Sequence, residues 1–406
     1  MNKTLSVYKR IKPYIYYNKL QFSDNLSKKY GANIYLKRED IQKTRSFKIR
    51  GSLNKIIKEY EYNPNLEVVC ASAGNHAQGV AFACHLLGIR GNIFVPSITP
   101  LQKKQRIKYF GKENIELILS GSSFNETLNN SVNYAKKNNY TFIHPYDDYD
   151  IIEGQSTIGY EIKKEINPDY CIATIGGGGL ISGLSLSLPD TCKIIGCEPE
   201  NADSMKYALI NGEPKSLKNI DTFVDGASVS KVGDKTFKIC KNVFQNLDNI
   251  KVISNNYICH EMLNMYQDEG IILEPAGVLP ICALNYLNEK EIKNKDIVCV
   301  LSGGNNDVSR YPEIMEKNLS YLNLKHYYII EFTQKPKQLK KFIQNVLGPN
   351  DDITRFEYIK KTNKVYGNVL IGLETKNNTE IEDKLLQNNF NFQKIKETDL
   401  IYSYLI

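Results

Sequence analysis

The chain has 406 residues, which at roughly 150 per domain allows two to three domains and a sizeable buried core. Hydrophobic residues at 42% and charged residues at 24% exclude a disordered, collagen-like or coiled-coil chain, and no apolar run approaches the roughly 18 residues of a membrane span. The formal charge of +7 is spread along the chain without a block of like charges, so neither a nucleic-acid nor a membrane partner is expected.

The first twenty residues, MNKTLSVYKRIKPYIYYNKL, mix lysine and tyrosine without the apolar centre of a secretory signal, which sets the expectation of a soluble cytoplasmic protein. From about residue 33 to residue 303, short β-rich runs alternate with helical patterns, the signature of a parallel sheet covered by helices. Strands are predicted at 33–37, 68–72, 92–96, 115–119, 141–144, 170–175, 193–197, 250–253 and 297–301. Helices are predicted at 46–60, where Ile49, Leu53, Ile56 and Tyr60 recur at helical spacing, and at 123–137 and 256–269. Nine cysteines show no metal spacing; Cys70, Cys171 and Cys299 lie in apolar strand-like segments and read as reduced, small hydrophobes. So many strands suit two α/β lobes with a cleft between them.

After about residue 320 the order changes to strand 326–332, helix 336–347, strands 353–360 and 366–374, helix 380–387 and a last strand at 392–395. That βαββα order with a closing strand is a small ferredoxin-like module, with 317–325 as its linker.

Four segments can carry chemistry. Gly176-Gly177-Gly178-Gly179-Leu180 follows a strand and opens a helix, so unobstructed backbone N–H groups and a favourable dipole suit a phosphate. One or two glycines would suffice for a plain turn. A dinucleotide site is the rival, because Glu198 lies at the distance of a ribose-binding acid, but the G-x-G-x-x-G spacing fails at Ile181 or Ser182. Ser72-Ala73-Gly74-Asn75-His76 also joins a strand to a helix; it suits a carboxylate, with Asn75 able to cap and to bind, and a simple N-cap is the alternative. Lys48 stands in a first helical turn near Arg45 and Arg50, whose charges would depress its pKa and favour a nucleophilic amine, although a solvated lysine fits the same pattern. Ser302 ends the 297–301 strand in Ser302-Gly303-Gly304-Asn305. Three of the four segments sit just past the C-terminal end of a predicted strand, where open α/β sheets bind ligands.

Residues 43–52, 72–79, the glycine loop, Glu274-Pro275-Ala276-Gly277 and 301–305 together, in this order along nearly the whole chain, resemble the threonine dehydratases among pyridoxal-phosphate enzymes of the tryptophan-synthase-β type. The resemblance implies an α/β fold of type II over 1–320, with a small lobe of about 41–141 inserted in a large lobe of 1–40 and 142–320. It implies Lys48 as the Schiff-base lysine, Asn75 at the cofactor's 3-hydroxyl, Gly176, Gly177, Gly178, Gly179 and Leu180 at its phosphate, and Ser302 at the pyridine nitrogen. Ser72, Gly74, Asn75 and His76 would meet the substrate carboxylate.

Residues 325–406, with 348–361 among them, look like the single ACT-like regulatory domain of the short biosynthetic form. The expected reaction is therefore conversion of L-threonine, or L-serine, to a 2-oxoacid and ammonia by a homotetramer that answers to isoleucine. Two alternatives stay open: a catabolic serine/threonine dehydratase, and a non-catalytic dinucleotide-binding sensor. Ser52 and Val278 stand where the family commonly has alanine.

Overall fold

A computed structural model describes residues 2–359, 364–396 and 399–405, which divide into two compact units, Met1–Asp307 and Val308–Ile406. The first unit holds two sheets. The larger runs, edge to edge, Gln21–Phe22, Asn33–Arg38, Asp296–Leu301, Tyr170–Thr174, Lys193–Pro199 and Ile250–Ile253, with every pairing parallel except that of the short first strand. Its central strand places Val298 between Tyr35 and Cys171 and is buried from Ile297 to Leu301. A strand of Ile, Val, Cys and Leu with helices on both faces needs no polar alternation. The smaller sheet, Ile115–Leu119, Arg90–Val95, Glu67–Ala71 and Thr141–Phe142, is parallel throughout. Each sheet has its own apolar core, around Ile49, Val68 and Ile93 in the small lobe and around Ile172's neighbours Cys171 and Ala173 with Val298 and Val300 in the large one.

Among the element ends that differ from expectation, two shape the cleft. The helix expected from residue 46 begins at Lys48, because the Phe47 N–H donates to Ser302 O at 3.0 Å and Ser46 forms a β-bridge with Gly303. The strand expected at 141–144 stops at Phe142. His144 turns its Nδ1 onto the Tyr146 and Asp147 N–H groups, at 3.2 and 2.8 Å, and bends the chain out of the ladder.

The second unit is a four-stranded antiparallel sheet in the order Asp352–Tyr358, Tyr366–Glu374, Lys325–Thr333, Phe392–Ile395, with helices Gln338–Asn345 and Asn378–Gln387 over one face. Its core gathers Tyr328, Ile330, Phe332, Phe342, Ile371, Leu385 and Phe390. The first of these helices starts two residues later than expected because Lys337 adopts φ +72°, outside the helical region. Residues 360 and 361, the end of the expected strand and of the segment singled out beside it, lie outside the described residues. Helix Tyr311–Tyr321 belongs to this unit, and its Glu316 accepts a hydrogen bond from Tyr327 OH at 2.8 Å. Among the described residues no helix is long and apolar enough to cross a membrane.

Candidate active site

The C-terminal ends of the first unit's strands converge on Lys48. It is the first residue of helix Lys48–Tyr62 and half-buried, and its Nζ donates to Pro145 O at 2.8 Å and lies 5.2 Å from the centre of the Phe47 ring. Burial pushes the amine down to about 8, while the nearby Glu274 carboxylate opposes the shift. About a tenth of the amine is therefore uncharged at neutral pH, far more than in an ordinary lysine. The arginines expected to cause this depression do not. Arg50 is fully buried, and its guanidinium spends its charge on Glu39, at 2.7 and 2.8 Å, and on Glu161, at 2.7 and 3.0 Å. Lys37 closes this cluster by donating to Glu161 at 2.6 Å. The network ties the turn bearing Lys48 to helix Tyr149–Glu165 and to the end of strand Asn33–Arg38.

The glycine loop follows strand Tyr170–Thr174 and leads into helix Gly179–Ser185. Gly178 has φ +92°, and a Cβ on Gly177 would fall inside the Tyr146 ring. That ring therefore forms the floor under Gly177, with its hydroxyl donating to Lys231 O at 3.0 Å, and the Tyr146 Cβ and backbone lie under Gly179. Because Pro145 holds Lys48 and Tyr146 supports the glycine loop, one short turn couples the amine to the backbone cradle.

Ser302, buried, donates to Ala276 O at 3.3 Å, which also accepts from Thr174 Oγ1 at 2.6 Å, immediately before the glycine loop. Asn75 opens helix Asn75–Leu87 but does not cap it. Its Nδ2 donates to Glu274 Oε1 at 2.8 Å, and its Oδ1 accepts from Asn305 Nδ2 at 2.7 Å. Lys48, Asn75, the glycine loop and Ser302 are thus linked through shared partners. Ser72 and Gly74 lie in the adjoining turn, where Gly74 N–H donates to Ser72 Oγ at 3.1 Å.

His76 goes elsewhere: its Nε2 pairs with Ile143 O at 2.9 Å inside the small lobe, and burial pushes its pKa down to about 3. Glu198 likewise has a structural occupation. Its carboxylate accepts from the Met205 and Lys206 N–H groups at 2.7 and 2.9 Å and caps helix Ser204–Asn211, so the dinucleotide alternative loses its ribose-binding acid. All nine cysteines are free and buried.

Two contributors escaped the sequence reading, and the pairing of a third, Glu274, escaped it too. Segment 223–227 runs beside the site, with Ala227 against Gly176 and Gly226 against Ala276 and Glu274, and its only signal was the turn pair Asp225-Gly226. His144 and Tyr146 shape the turn under Lys48, and Glu274 reaches Asn75 across a sequence separation of 199. No local pattern could report that pairing.

The arrangement fits pyridoxal phosphate on three counts: a buried, partly uncharged lysine amine, a glycine-loop backbone without side chains, and a neutral hydroxyl at the same end of the neighbouring parallel strand. Residues 11–303 match the family of pyridoxal-phosphate-dependent enzymes, and residues 316–405 match the C-terminal regulatory domain of threonine dehydratase. The first unit is therefore that of a pyridoxal-phosphate-dependent, type II lyase. L-threonine dehydratase biosynthetic IlvA of Halalkalibacterium halodurans is 47% identical over 98% of this chain and 96% of its own, and that of Bacillus subtilis strain 168 is 41% identical over 99% and 96%. The processed form of threonine deaminase isoform 2 from Solanum lycopersicum superposes with a TM-score of 0.73 at 33% identity, covering 78% of this chain and 87% of that one. The chain belongs to the biosynthetic threonine dehydratase family.

Proposed function

We propose that this chain converts L-threonine to 2-oxobutanoate and ammonia, the first step of isoleucine biosynthesis, with Lys48 as the covalent anchor of pyridoxal phosphate. The observation that carries this reading is the buried, partly uncharged Lys48 amine coupled through Pro145 and Tyr146 to the tetraglycine loop. The backbone of Gly176, Gly177, Gly178, Gly179 and Leu180 would hold the cofactor phosphate, Asn75 its ring oxygen and Ser302 its pyridine nitrogen. Bound there, the cofactor supplies a conjugated ring that takes up the electron pair left at the substrate Cα.

The chain's own residues do the rest. Lys48 Nζ, once free, removes the proton from Cα, and its depressed pKa leaves it able to accept one near neutrality. Of the backbone N–H groups of 72–75, those of Ser72 and Gly74 already donate to Phe94 O and Ser72 Oγ, so those of Ala73 and Asn75 grip the substrate carboxylate at a helix start, where the dipole favours an anion. His76, committed to Ile143, supports that turn from behind. The Ser302 hydroxyl, unlike a carboxylate, does not force a proton onto the pyridine nitrogen. The weaker electron sink suits loss of the β-hydroxyl over transamination.

The C-terminal unit is assigned to isoleucine sensing within a tetramer, supported by the match of residues 316–405 to the regulatory domain. That match also favours the biosynthetic over the catabolic reading. A reducing cytoplasm suits nine free cysteines. The test is a 2-oxoacid assay with L-threonine and with L-serine, repeated with isoleucine. Turnover of threonine that falls as isoleucine is added is expected; unchanged turnover would remove the sensing role, and no 2-oxoacid from either substrate would remove the lyase.

A further inference from the structure

Glu274 stands at the start of helix Pro275–Leu284, where an acidic side chain ordinarily faces water and favours the helix dipole. Here it is buried, and its Oε1 accepts from Asn75 Nδ2 at 2.8 Å, on the far side of the cleft. The Asn305 backbone N–H also donates to the carboxylate. On its other side, Asn75 Oδ1 accepts from Asn305 Nδ2 at 2.7 Å, and the same Nδ2 donates to Thr44 O at 2.8 Å. Turning the Asn75 amide over would set its oxygen against a carboxylate and its nitrogen against another amide nitrogen. Only one orientation satisfies both neighbours, and it leaves one Nδ2 hydrogen for a ligand. A Cβ on residue 303 would run into Glu274 Oε1, so glycine at this position is what admits the carboxylate.

We infer that Glu274 is a positioning residue, which holds the Asn75 amide in the orientation that meets the cofactor ring and holds it more firmly when ionised. The inference rests on the proposed contact between Asn75 and the cofactor. The charged groups facing Glu274 are Asp225 from segment 223–227, Lys103 from helix Leu101–Gly111, which is ion-paired with Asp225, and Lys48 from its own helix. Burial, then Asp225, push the Glu274 carboxyl up to about 7, against the opposing pull of the hydrogen bonds from Asn75 and Asn305 and of Lys103. The carboxylate therefore forms as pH rises through neutrality. A hydrogen bond to a charged acceptor is stronger than one to a neutral acceptor, so the grip on Asn75 tightens in the same interval.

The experiment measures pyridoxal-phosphate dissociation from the holoenzyme by equilibrium dialysis, together with the visible absorbance band, between about pH 5.5 and 8.5. The native protein should bind the cofactor about tenfold more tightly above the step near neutrality than below it, by the difference between charged and neutral acceptors. Glu274→Gln, which keeps shape and an acceptor but not the charge, should lose the step and bind about tenfold more weakly at high pH. Asn305→Ser, which removes the second clamp on Asn75 and the bond to Thr44 O but keeps the backbone N–H on Glu274, should bind more weakly yet keep the step. Native affinity with a native step in Glu274→Gln overturns the inference, as does a lost step in Asn305→Ser. A visible band that persists at full strength in Lys48→Ala would instead overturn the cofactor reading beneath it, so the two failures are distinguishable.

Discussion

The two units solve the burial of a sheet in opposite ways. In the first, parallel strands are covered on both faces, and the central strand Asp296–Leu301 is buried almost from end to end. In the second, two helices cover one face of antiparallel strands, the other face is covered only in part, where Glu316 and Tyr402 meet Tyr327, and the edge strand Asp352–Tyr358 is exposed or half-buried throughout. Parallel strands deliver their C-terminal ends to one edge, so segments as far apart as 46–48, 174–179 and 302–305 meet there. Antiparallel hairpins send alternate ends in opposite directions and gather no such edge. The candidate site collects in the first unit, and the second contributes a compact core under a partly covered sheet.

This contrast can be broken or sharpened by experiment. Lys48→Ala should reduce 2-oxobutanoate formation by about a thousandfold or more, since both the anchor and the proton acceptor are lost; a smaller loss measured with saturating threonine would place the key amine elsewhere. Next in size, Arg50→Met leaves Glu39 and Glu161 buried without their main partner and should cost about 3–5 kcal/mol in urea unfolding. The same measurement on Tyr328→Phe, which removes a hydrogen bond to Glu382 in the second unit, should show only about 0.5–1.5 kcal/mol.

Two buried histidines make the first unit sensitive to acid, while its raised Glu274 and Glu198 carboxyls, which keep their protons in the folded chain, pull the other way. Burial holds His76 at about 3 and His144 at about 4, so both stay neutral in the folded chain while the unfolded chain takes up protons below about 6.5. Their contribution is fully present above about 6.5 and is lost as pH falls, at about 1.4 kcal/mol per pH unit for each histidine. His76→Gln should flatten that dependence, read as melting temperature between about pH 4 and pH 7; an unchanged slope would mean that other groups set it.

Much of this was legible in the chain. The alternation of β-rich and helical runs marked both sheets of the first unit, because Ile, Val and Cys runs between helical patterns leave few other folds. Lys48, Asn75 and Ser302 stand at strand or helix ends where each also had a plain structural reading, and the resemblance to the threonine dehydratases is what picked them out as a set with the glycine loop. Their partners could not be picked out in this way. Whether Asn75 capped its own helix or reached Glu274 depended on a contact across the fold, and Glu198 looked like a ribose-binding acid until its two backbone donors were seen. The start of helix Lys48–Tyr62 was misplaced for the same reason, since local propensity does not know that Ser302 O waits for the Phe47 N–H.

The cluster of Lys37, Glu39, Arg50 and Glu161 has a consequence for descent. Two positive and two negative side chains, each fully enclosed, sum to zero, and replacing any one strands an opposite charge away from water. The four codons are thus locked to one another. An apolar quartet of similar volume could serve as well, but every single-step path to it crosses an intermediate that folds poorly. A change at one of the four should be tolerated only with a compensating change at another.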